Sequence, residues 1–373
     1  MATRIILIGL LLLGLLAGCS GDGDKVIKIA LAVPLTGDDA AHGQGMKRAF
    51  EMAVEDANAS GKLKGMKLEG AEFDDRSDPK EAVTVANQII SDRKIMGVIG
   101  HLNSGCSIPA SQVYAKRNLV MITPASTNPK LTQQGLKTVF RVCGTDDVQG
   151  SFGANYVFDT LKLNRVAVIH DKTAYGQGLA EEFQKQFEKI GGTVTSFNGI
   201  DRGEKDYKAL LTRIKTESPL LIYYGGLYAE AGLISKQSKE LGLNVPLMGG
   251  DGILTNEFAR IAGKASEGDM ASMVGLPPQK LPKAKDFLTR YQARFPGYDV
   301  EPYDPLTYEA ASLLVEALVA VNFDQTKLVD YISKMDYNGI LGETSFDERG
   351  DNRNKLISMN RVTDGKFEFY EHK

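Results

Sequence analysis

The sequence contains few of the residues that enzymes use for acid–base, nucleophilic or metal chemistry. Its 373 residues include four histidines and three cysteines, and no G-x-S-x-G elbow, H-E-x-x-H, P-loop or paired C-x-x-C motif. The neighbouring carboxylates Asp74 and Asp75 have no further metal ligands near them, so we interpret them as a solvated strand end. His101 is interpreted as a hydrogen-bonded packing residue. We therefore predict a protein without catalytic activity, cofactor or metal ion.

Clusters of positive charge and a second long apolar run are also missing. The chain has 44 lysines and arginines against 47 acidic residues, a formal net charge of −3, and no basic cluster of the kind that binds nucleic acid. After the first twenty residues, no apolar run is long enough to span a membrane. With that segment set aside, roughly 350 residues remain, which is more than one core usually supports. We expect two lobes.

The first twenty residues have the pattern of an export signal. Arg4 supplies the positive start, residues 5–16 are apolar, and Leu-Ala-Gly-Cys ends at Cys19. This ending resembles a bacterial lipobox, which implies cleavage of residues 1–18 and a lipid on the Cys19 thiol. Residues 19–25 then form a lipidated cysteine and a short polar tether. The alternatives are an ordinary cleavage site with an incidental cysteine, or a short membrane anchor.

Two cysteines remain after Cys19, at positions 106 and 143. An even pair in an exported chain favours a disulfide, because the extracytoplasmic compartment permits one. We predict a bond between Cys106 and Cys143. The alternative is two buried free thiols.

From residue 26 the chain alternates between strand and helix patterns. Residues 26–33 and 66–73 are predicted strands, and residues 43–59 repeat apolar side chains at helical spacing between them. Alternation of this kind is typical of an α/β fold in which helices cover parallel sheets.

Residues 97–127 place small hydroxyl side chains where predicted strands end. Ser104 and Thr127 follow two successive strands, and a helix is predicted to start near Ser107 with Pro109 in its first turn. In an open α/β sheet, ligands collect beyond the carboxyl ends of the strands, and a helix N-terminus there favours an anion. We predict a site for a small carboxylate. The alternative is that Ser104 only caps the helix.

A second strand and helix series begins after residue 145. Its strand ends deliver Tyr175, the tyrosine–glycine loop at 223–226 and the glycine-rich loop around Asp251 to another crevice edge. Glycine-rich loops at strand ends allow a ligand to approach the backbone closely.

Short motifs in a fixed order run through the whole chain after residue 25. They are AVPLTG at 32–37, DD at 74–75, VIGH at 98–101, ITPA at 122–125, HDK at 170–172, YGQG at 175–178, GEKD at 203–206, YYGG at 223–226 and FDERGD at 346–351. Together they resemble the branched-chain amino-acid binding proteins of bacterial ABC importers. The resemblance implies a type I periplasmic-binding-protein fold, with two Rossmann-like lobes of parallel-rich sheets, three hinge strands and a cleft that closes on the ligand.

The resemblance also implies lobe boundaries. Residues 26–145 and 275–356 correspond to an N-terminal lobe, and residues 146–274 and 357–373 to a C-terminal lobe. The disulfide that some relatives carry in the first lobe is absent, because Ser77 and Asn103 stand at its positions.

Roles for individual residues follow from the same resemblance. Ser104, Thr127 and backbone groups near Ala125 match the positions that take the carboxylate of an amino-acid ligand. Asp251 matches the acid that pairs with its ammonium, and Tyr175 matches an aromatic wall. Each charge of a zwitterion must find a partner in a closed cleft, so one lobe is expected to bind the carboxylate and the other the ammonium.

Three positions depart from better-known members of the family. His42 stands where a tyrosine is common, Leu227 where an aromatic residue is common, and Asp251 where a glutamate is common. Tyr228 either substitutes for the missing aromatic wall at Leu227 or packs on the following helix. These departures predict a reshaped pocket for the ligand side chain.

The expected function is capture of branched-chain amino acids outside the cytoplasm by a lipid-anchored monomer, which passes them to an ABC permease. Two alternatives remain open. The same fold could bind another amino acid, an amide or urea, or it could act as a sensor whose partner is a receptor.

Overall fold

The computed structural model of the chain describes residues 25–370. The predicted signal peptide, Cys19 and most of the tether lie outside these residues. Within the described range, no helix has both the length and the apolar character needed to cross a membrane. The fold is a mixed α/β arrangement built on two large sheets.

The strands and helices alternate over most of this range. The strands are β1 Lys25–Val33, β2 Met66–Asp74, β3 Ile95–Gly100, β4 Val120–Thr123, β5 Val139–Arg141, β6 Arg165–His170, β7 Thr193–Gly199, β8 Leu221–Gly225, β9 Leu247–Gly249, β10 Met270–Met273, β11 Tyr337–Gly339, β12 Gly342–Thr344, β13 Ser358–Thr363 and β14 Lys366–Phe369. The helices are α1 Ala40–Ala59, α2 Pro79–Ser91, α3 Ser104–Ala115, α4 Lys130–Gln133, α5 Asp146–Asn155, α6 Ala174–Lys189, α7 Lys208–Thr216, α8 Tyr228–Glu240, α9 Asn256–Ala262, α10 Ala284–Arg294, α11 Asp304–Ala320 and α12 Gln325–Ile332.

The first sheet has the strand order β2-β1-β3-β4-β5, and all its neighbouring strands are parallel. The central strands are apolar on both faces because helices cover both. Leu31 on one face packs into a core with Met46 and Phe50 of α1, whereas Ala32 on the other face packs with residues of α2 and α3. Parallel strands place all their carboxyl ends at one edge, so the loops after β3 and β4 are neighbours.

The second sheet has the order β14-β13-β10-β9-β8-β6-β7. The strands β6 to β10 pair in parallel, and the late strands β13 and β14 are antiparallel additions at one end. Phe183 of α6 stacks on Tyr223 of β8 with ring centroids 3.6 Å apart, which anchors this helix on one face. The loops after β6, β8 and β9 therefore share one edge.

The chain passes between the two sheets three times. It leaves the first sheet after β5 and returns after β10 to supply α10, α11 and α12, of which α11 packs on α1. It then crosses to the second sheet before β13. These crossings match the three-hinge arrangement expected from the sequence.

A buried arginine holds the third crossing against the first sheet. The Arg141 side chain has no exposed surface, and its Nε donates to Asp351 Oδ1 at 2.8 Å. The same guanidinium donates to the carbonyl oxygens of Ser126 and Asn128, at 2.8 and 3.1 Å. Arg141 therefore fixes both a hinge segment and the two residues that flank Thr127.

The structure contradicts the predicted disulfide, because Cys106 and Cys143 are free and buried. Cys106 is a residue of α3 and packs into the core between α2, α3 and one face of the first sheet, whereas Cys143 lies in the core on the other face. Burial raises the pKa of both thiols above the usual range. The alternative of two buried thiols is the one that the structure contains.

The structure also corrects the interpretation of Asp75 as solvated. Asp75 is buried, and its Oδ2 lies 2.6 Å from His101 Nδ1, while His101 Nε2 lies 2.9 Å from the Tyr114 hydroxyl. The prediction that His101 is a hydrogen-bonded packing residue is confirmed.

Replacing Arg141 by methionine should lower the free energy of unfolding by about 3–5 kcal/mol, because Asp351 would keep a buried charge without its partner. Urea denaturation of the purified protein measures this loss. Arg349 provides the matched control, since its exposed guanidinium lies 3.9 Å from the same Asp351 and its replacement by methionine should change stability by less than about 1 kcal/mol. Equal losses in the two variants would contradict the assigned role of Arg141.

Candidate functional site

The loops after β3 and β4 meet at the carboxyl edge of the first sheet. The helix α3 begins at Ser104, three residues earlier than predicted, and Asn103 rather than Ser104 precedes its first turn. Ser104 is therefore not a helix cap. Its hydroxyl instead accepts a hydrogen bond from the backbone N–H of Asn128 at 3.2 Å, which ties the two loops together.

The second loop presents a hydroxyl group that has no good partner. The Thr127 side chain is buried, and its Oγ1 lacks a hydrogen bond of good geometry. The neighbouring N–H of Ala125 is donated to Thr123 Oγ1 at 3.2 Å, so this N–H is already engaged. Buried polar atoms normally find a partner, so Thr127 marks a place where a ligand atom would be stabilised.

On the second sheet, Asp251 follows β9 after a single residue, Gly250. Its carboxylate is buried and accepts hydrogen bonds from the hydroxyls of Tyr175 and Tyr303, at 2.9 and 2.8 Å. Burial raises the pKa of this carboxyl group, and the two tyrosines oppose the shift by stabilising its charged form. A side chain on Gly250 would collide with the Tyr175 hydroxyl, 2.6 Å from an ideal Cβ, so glycine keeps this close approach possible.

Asp146 is a second buried acid at the same place, and it was absent from the residues predicted to form the site. It begins α5 directly after the first crossing, and its N–H donates to the Thr127 carbonyl at 3.0 Å. No hydrogen bond of good geometry satisfies either carboxylate oxygen, although the Thr127 side chain is close enough to favour the charged form. Burial raises the pKa of Asp146 well above its usual value, and the charge of Asp251 adds to that effect.

Aromatic and aliphatic side chains form the rest of the wall. Leu227 and Tyr175 both lie close to Gly252, where an ideal Cβ would be 2.7 and 2.8 Å from their side-chain carbons. The His42 ring packs edge-on against Tyr228 and Tyr303, with centroid distances of 5.2 and 5.0 Å. All of these side chains are buried.

His42 is held neutral in this wall. Its Nε2 lies 3.3 Å from the Gly252 carbonyl, an arrangement in which Nε2–H donates. Its Nδ1 has no hydrogen-bond partner and lies 4.0 Å from the Glu301 carboxylate. Burial lowers the pKa of His42 to about 4, so the ring contributes surface and one donor but no charge near pH 7.

A continuous set of contacts connects the predicted residues of the two lobes. The Ser104 hydroxyl accepts a hydrogen bond from the Asn128 N–H. The Asn128 side chain donates from Nδ2 across the cleft to the carbonyl of Ala174, the residue before Tyr175, at 2.5 Å. The Asp146 N–H donates to the Thr127 carbonyl, and His42 Nε2 lies within hydrogen-bond distance of the Gly252 carbonyl. These contacts cross from one lobe to the other, so the cleft is closed, and the Thr127 side chain lies close to the Asp146 carboxylate.

Two members of this arrangement, Asp146 and Tyr303, were missed by sequence reasoning. Both stand at the start of a helix just after a chain crossing or loop, where capping residues are common, so neither carried a distinct signal. No group of three or more histidine, cysteine or acidic residues within residues 25–370 could hold a metal ion.

Comparison with known proteins identifies the family. The model of the periplasmic binding protein family matches residues 26–365, and the chain therefore belongs to this family. A Leu/Ile/Val-binding protein homolog 1 of Brucella suis is 37% identical over 350 residues, covering 92% of this chain and 93% of that protein. A leucine-, isoleucine-, valine-, threonine- and alanine-binding protein of Pseudomonas aeruginosa is 35% identical, covering 88% of this chain and 87% of that protein.

Solved structures agree with this assignment. A leucine binding protein from Thermotoga maritima has a TM-score of 0.86 at 31% identity, covering 92% of this chain and 98% of its own. A branched-chain amino acid transporter substrate binding protein from Streptococcus pneumoniae, in complex with isoleucine, has the same score and coverage at 28% identity. The resemblance inferred from the sequence motifs and the type I fold are confirmed.

The buried state of His42 predicts a pH dependence of stability. A histidine with a pKa near 6.5 when unfolded and about 4 when folded stabilises the fold fully above pH 6.5, and this contribution is lost as the pH falls towards 4. The loss amounts to about 3 kcal/mol. Urea denaturation at several pH values should show it as the difference between the native protein and His42→Gln, and identical pH profiles would contradict the assigned burial.

Proposed function

We propose that this periplasmic binding protein captures branched-chain amino acids between its two lobes. The observation that carries the proposal is the pair of buried acids, Asp146 and Asp251, lying beside the unsatisfied hydroxyl of Thr127. A zwitterionic ligand supplies the positive charge that the acids lack and the negative charge that the hydroxyls can accept. The names of the relatives support the same class of ligand.

The carboxylate of the ligand would bind at the first sheet. Ser104 and Thr127 offer hydroxyl donors, and the N-terminus of the twelve-residue helix α3 contributes a positive dipole end at the same edge. Ala125 contributes mainly the shape of its loop, because its N–H is donated to Thr123. Charge-assisted hydrogen bonds of this kind are about twice as strong as neutral ones.

The ammonium group would lie between Asp251 and Asp146. Asp251 is already held by two tyrosine hydroxyls, so its charge is positioned before a ligand arrives. Asp146 retains oxygens that no donor of the chain satisfies well. A neutral amide or urea would offer neither buried acid a positive charge, which argues against those ligands.

The side chain of the ligand would lie against an uncharged wall. Tyr175, Leu227 and Tyr228 supply apolar surface, and His42 is neutral. Complete burial of a valine, leucine or isoleucine side chain contributes about 1.5–3 kcal/mol. This wall therefore favours an aliphatic ligand over a charged or small polar one.

The membership of the family and the lipobox-like segment support a location outside the cytoplasm for this capture. We infer that the lipid on Cys19 keeps the monomeric chain at a bacterial membrane, where it delivers its ligand to the membrane subunits of an ABC permease and catalyses no reaction. Replacing Cys19 by serine should abolish incorporation of radiolabelled palmitate and release the protein from the membrane fraction. Retention of the label would contradict this inference.

Asp146→Asn should weaken leucine binding by about 2–5 kcal/mol, because the ammonium would lose one of its two charged partners. Isothermal titration calorimetry against leucine, isoleucine, valine, urea and short amides measures this loss, using protein that was unfolded and refolded to remove any bound ligand. The neighbouring exposed residue gives the control, since Asp147→Asn should leave the affinity unchanged. Tight binding of a neutral amide, without response to the aliphatic amino acids, would overturn the proposal.

A further inference from the structure

A charged contact also crosses the cleft, outside the ligand site. Arg202, in the loop after β7, donates from Nη1 and Nη2 to the two carboxylate oxygens of Asp39, at 2.9 and 2.7 Å. Asp39 immediately precedes α1 and belongs to the first lobe. The Asp39 side chain is 1% exposed and that of Arg202 is 23% exposed, so the pair is largely shielded from water and salt.

Each partner of this pair is also held within its own lobe. The Asp39 carboxylate accepts hydrogen bonds from the Ser77 hydroxyl and from Asn103 Nδ2. Across the cleft, Arg202 Nε lies 3.8 Å from the buried Glu230 carboxylate, which itself accepts from the N–H of Gly203 at 3.0 Å. Opening the cleft would therefore separate two groups that each keep a local partner.

The pair is linked to the ligand site through two helices. Asp39 lies three residues before His42 of α1, and Glu230 lies two residues after Tyr228 of α8. The rings of His42 and Tyr228 contact each other edge-on across the cleft. The charged contact and the wall of the ligand site can therefore form only in the same closed arrangement.

We infer that Asp39 and Arg202 form an interlobe latch that raises ligand affinity by stabilising the closed cleft without touching the ligand. A planar guanidinium with two parallel bonds to one carboxylate imposes a defined distance and angle, which suits a contact that must select one closed state. The local partners, Ser77, Asn103 and Glu230, keep the latch reversible. The effect on affinity rests on the proposed function, whereas the effect on closure does not.

The two partners differ in what their loss leaves behind. Without Arg202, the buried carboxylates of Asp39 and Glu230 have no guanidinium between them, and Asp171 also loses a nearby positive charge. Without the charge of Asp39, Arg202 still has the Glu230 carboxylate as a charged partner. The latch therefore predicts a larger effect for Arg202→Ala than for Asp39→Asn, and partial rescue by Arg202→Lys, which keeps the charge but not the paired geometry.

Two measurements on the purified protein test the latch. Small-angle X-ray scattering without ligand should give a larger radius of gyration for Arg202→Ala than for the native protein. Stopped-flow release of leucine should be at least about tenfold faster in this variant, with little change in the association rate. Circular dichroism confirms that each variant is folded, and the Arg202→Lys variant provides a second test if Arg202→Ala is not.

Lys172 is the matched control. It forms an exposed ion pair at 2.7 Å with Asp201, the residue before Arg202, and both lie in the second lobe. Lys172→Ala should change neither the radius of gyration nor the release rate. Unchanged scattering and release in Arg202→Ala and Asp39→Asn would overturn the latch. If leucine does not bind the native protein, the proposed function fails, while the scattering comparison still decides whether the latch exists.

Discussion

The burial of two carboxyl groups without a positively charged partner in contact with them is the constraint on which the closed structure depends. Asp146 and Asp251 are both removed from water, and burial raises the pKa of each. Removal of one carboxylate from water costs several kcal/mol even after local relaxation. Two tyrosine hydroxyls partly satisfy Asp251, and Arg141 and the Thr127 side chain partly offset the effect of burial on Asp146. A positive charge brought by a ligand would therefore stabilise the closed cleft further.

The wall side chains around the two acids add no charge of their own, so the positive charge that the acids lack has to come from the ligand. The His42 pKa of about 4 leaves the ring neutral, and burial together with the nearby Asp251 raises the pKa of the Tyr175 and Tyr303 hydroxyls, so both remain proton donors. The position of the loop that carries Thr127 depends on a contact outside the site. Arg141 ties the loop that carries Thr127 to the last crossing of the chain, so the geometry of the site and that of the hinge are set by one buried side chain.

Much of the fold and half of the site could be predicted from sequence because both depend on local order along the chain. The alternation of strands and helices fixes the carboxyl edges of the sheets, and Ser104, Thr127 and Asp251 follow strand ends directly. Contacts set by tertiary packing carried no such signal. Asp146 has the pattern of an ordinary first helical turn, and the predicted disulfide failed because linear spacing does not reveal that Cys106 and Cys143 occupy opposite faces of a sheet. Asp75 was misjudged for the same reason, since its partner His101 is 26 residues away.

The interface between the lobes therefore contains two kinds of acidic side chain, which differ in how far groups of the chain itself satisfy them. This difference determines how a ligand changes the balance between the open and closed states. Arg202 compensates Asp39 from within the chain when the cleft is closed, and Ser77, Asn103 and Glu230 limit how much closure gains from this contact. For Asp146, in contrast, neither carboxylate oxygen has a hydrogen bond of good geometry. A ligand shifts a conformational equilibrium only by its differential affinity for the two states. The latch keeps part of the ligand-free population closed, the ligand ammonium makes the closed state the dominant one, and the latch then sets how long that state lasts.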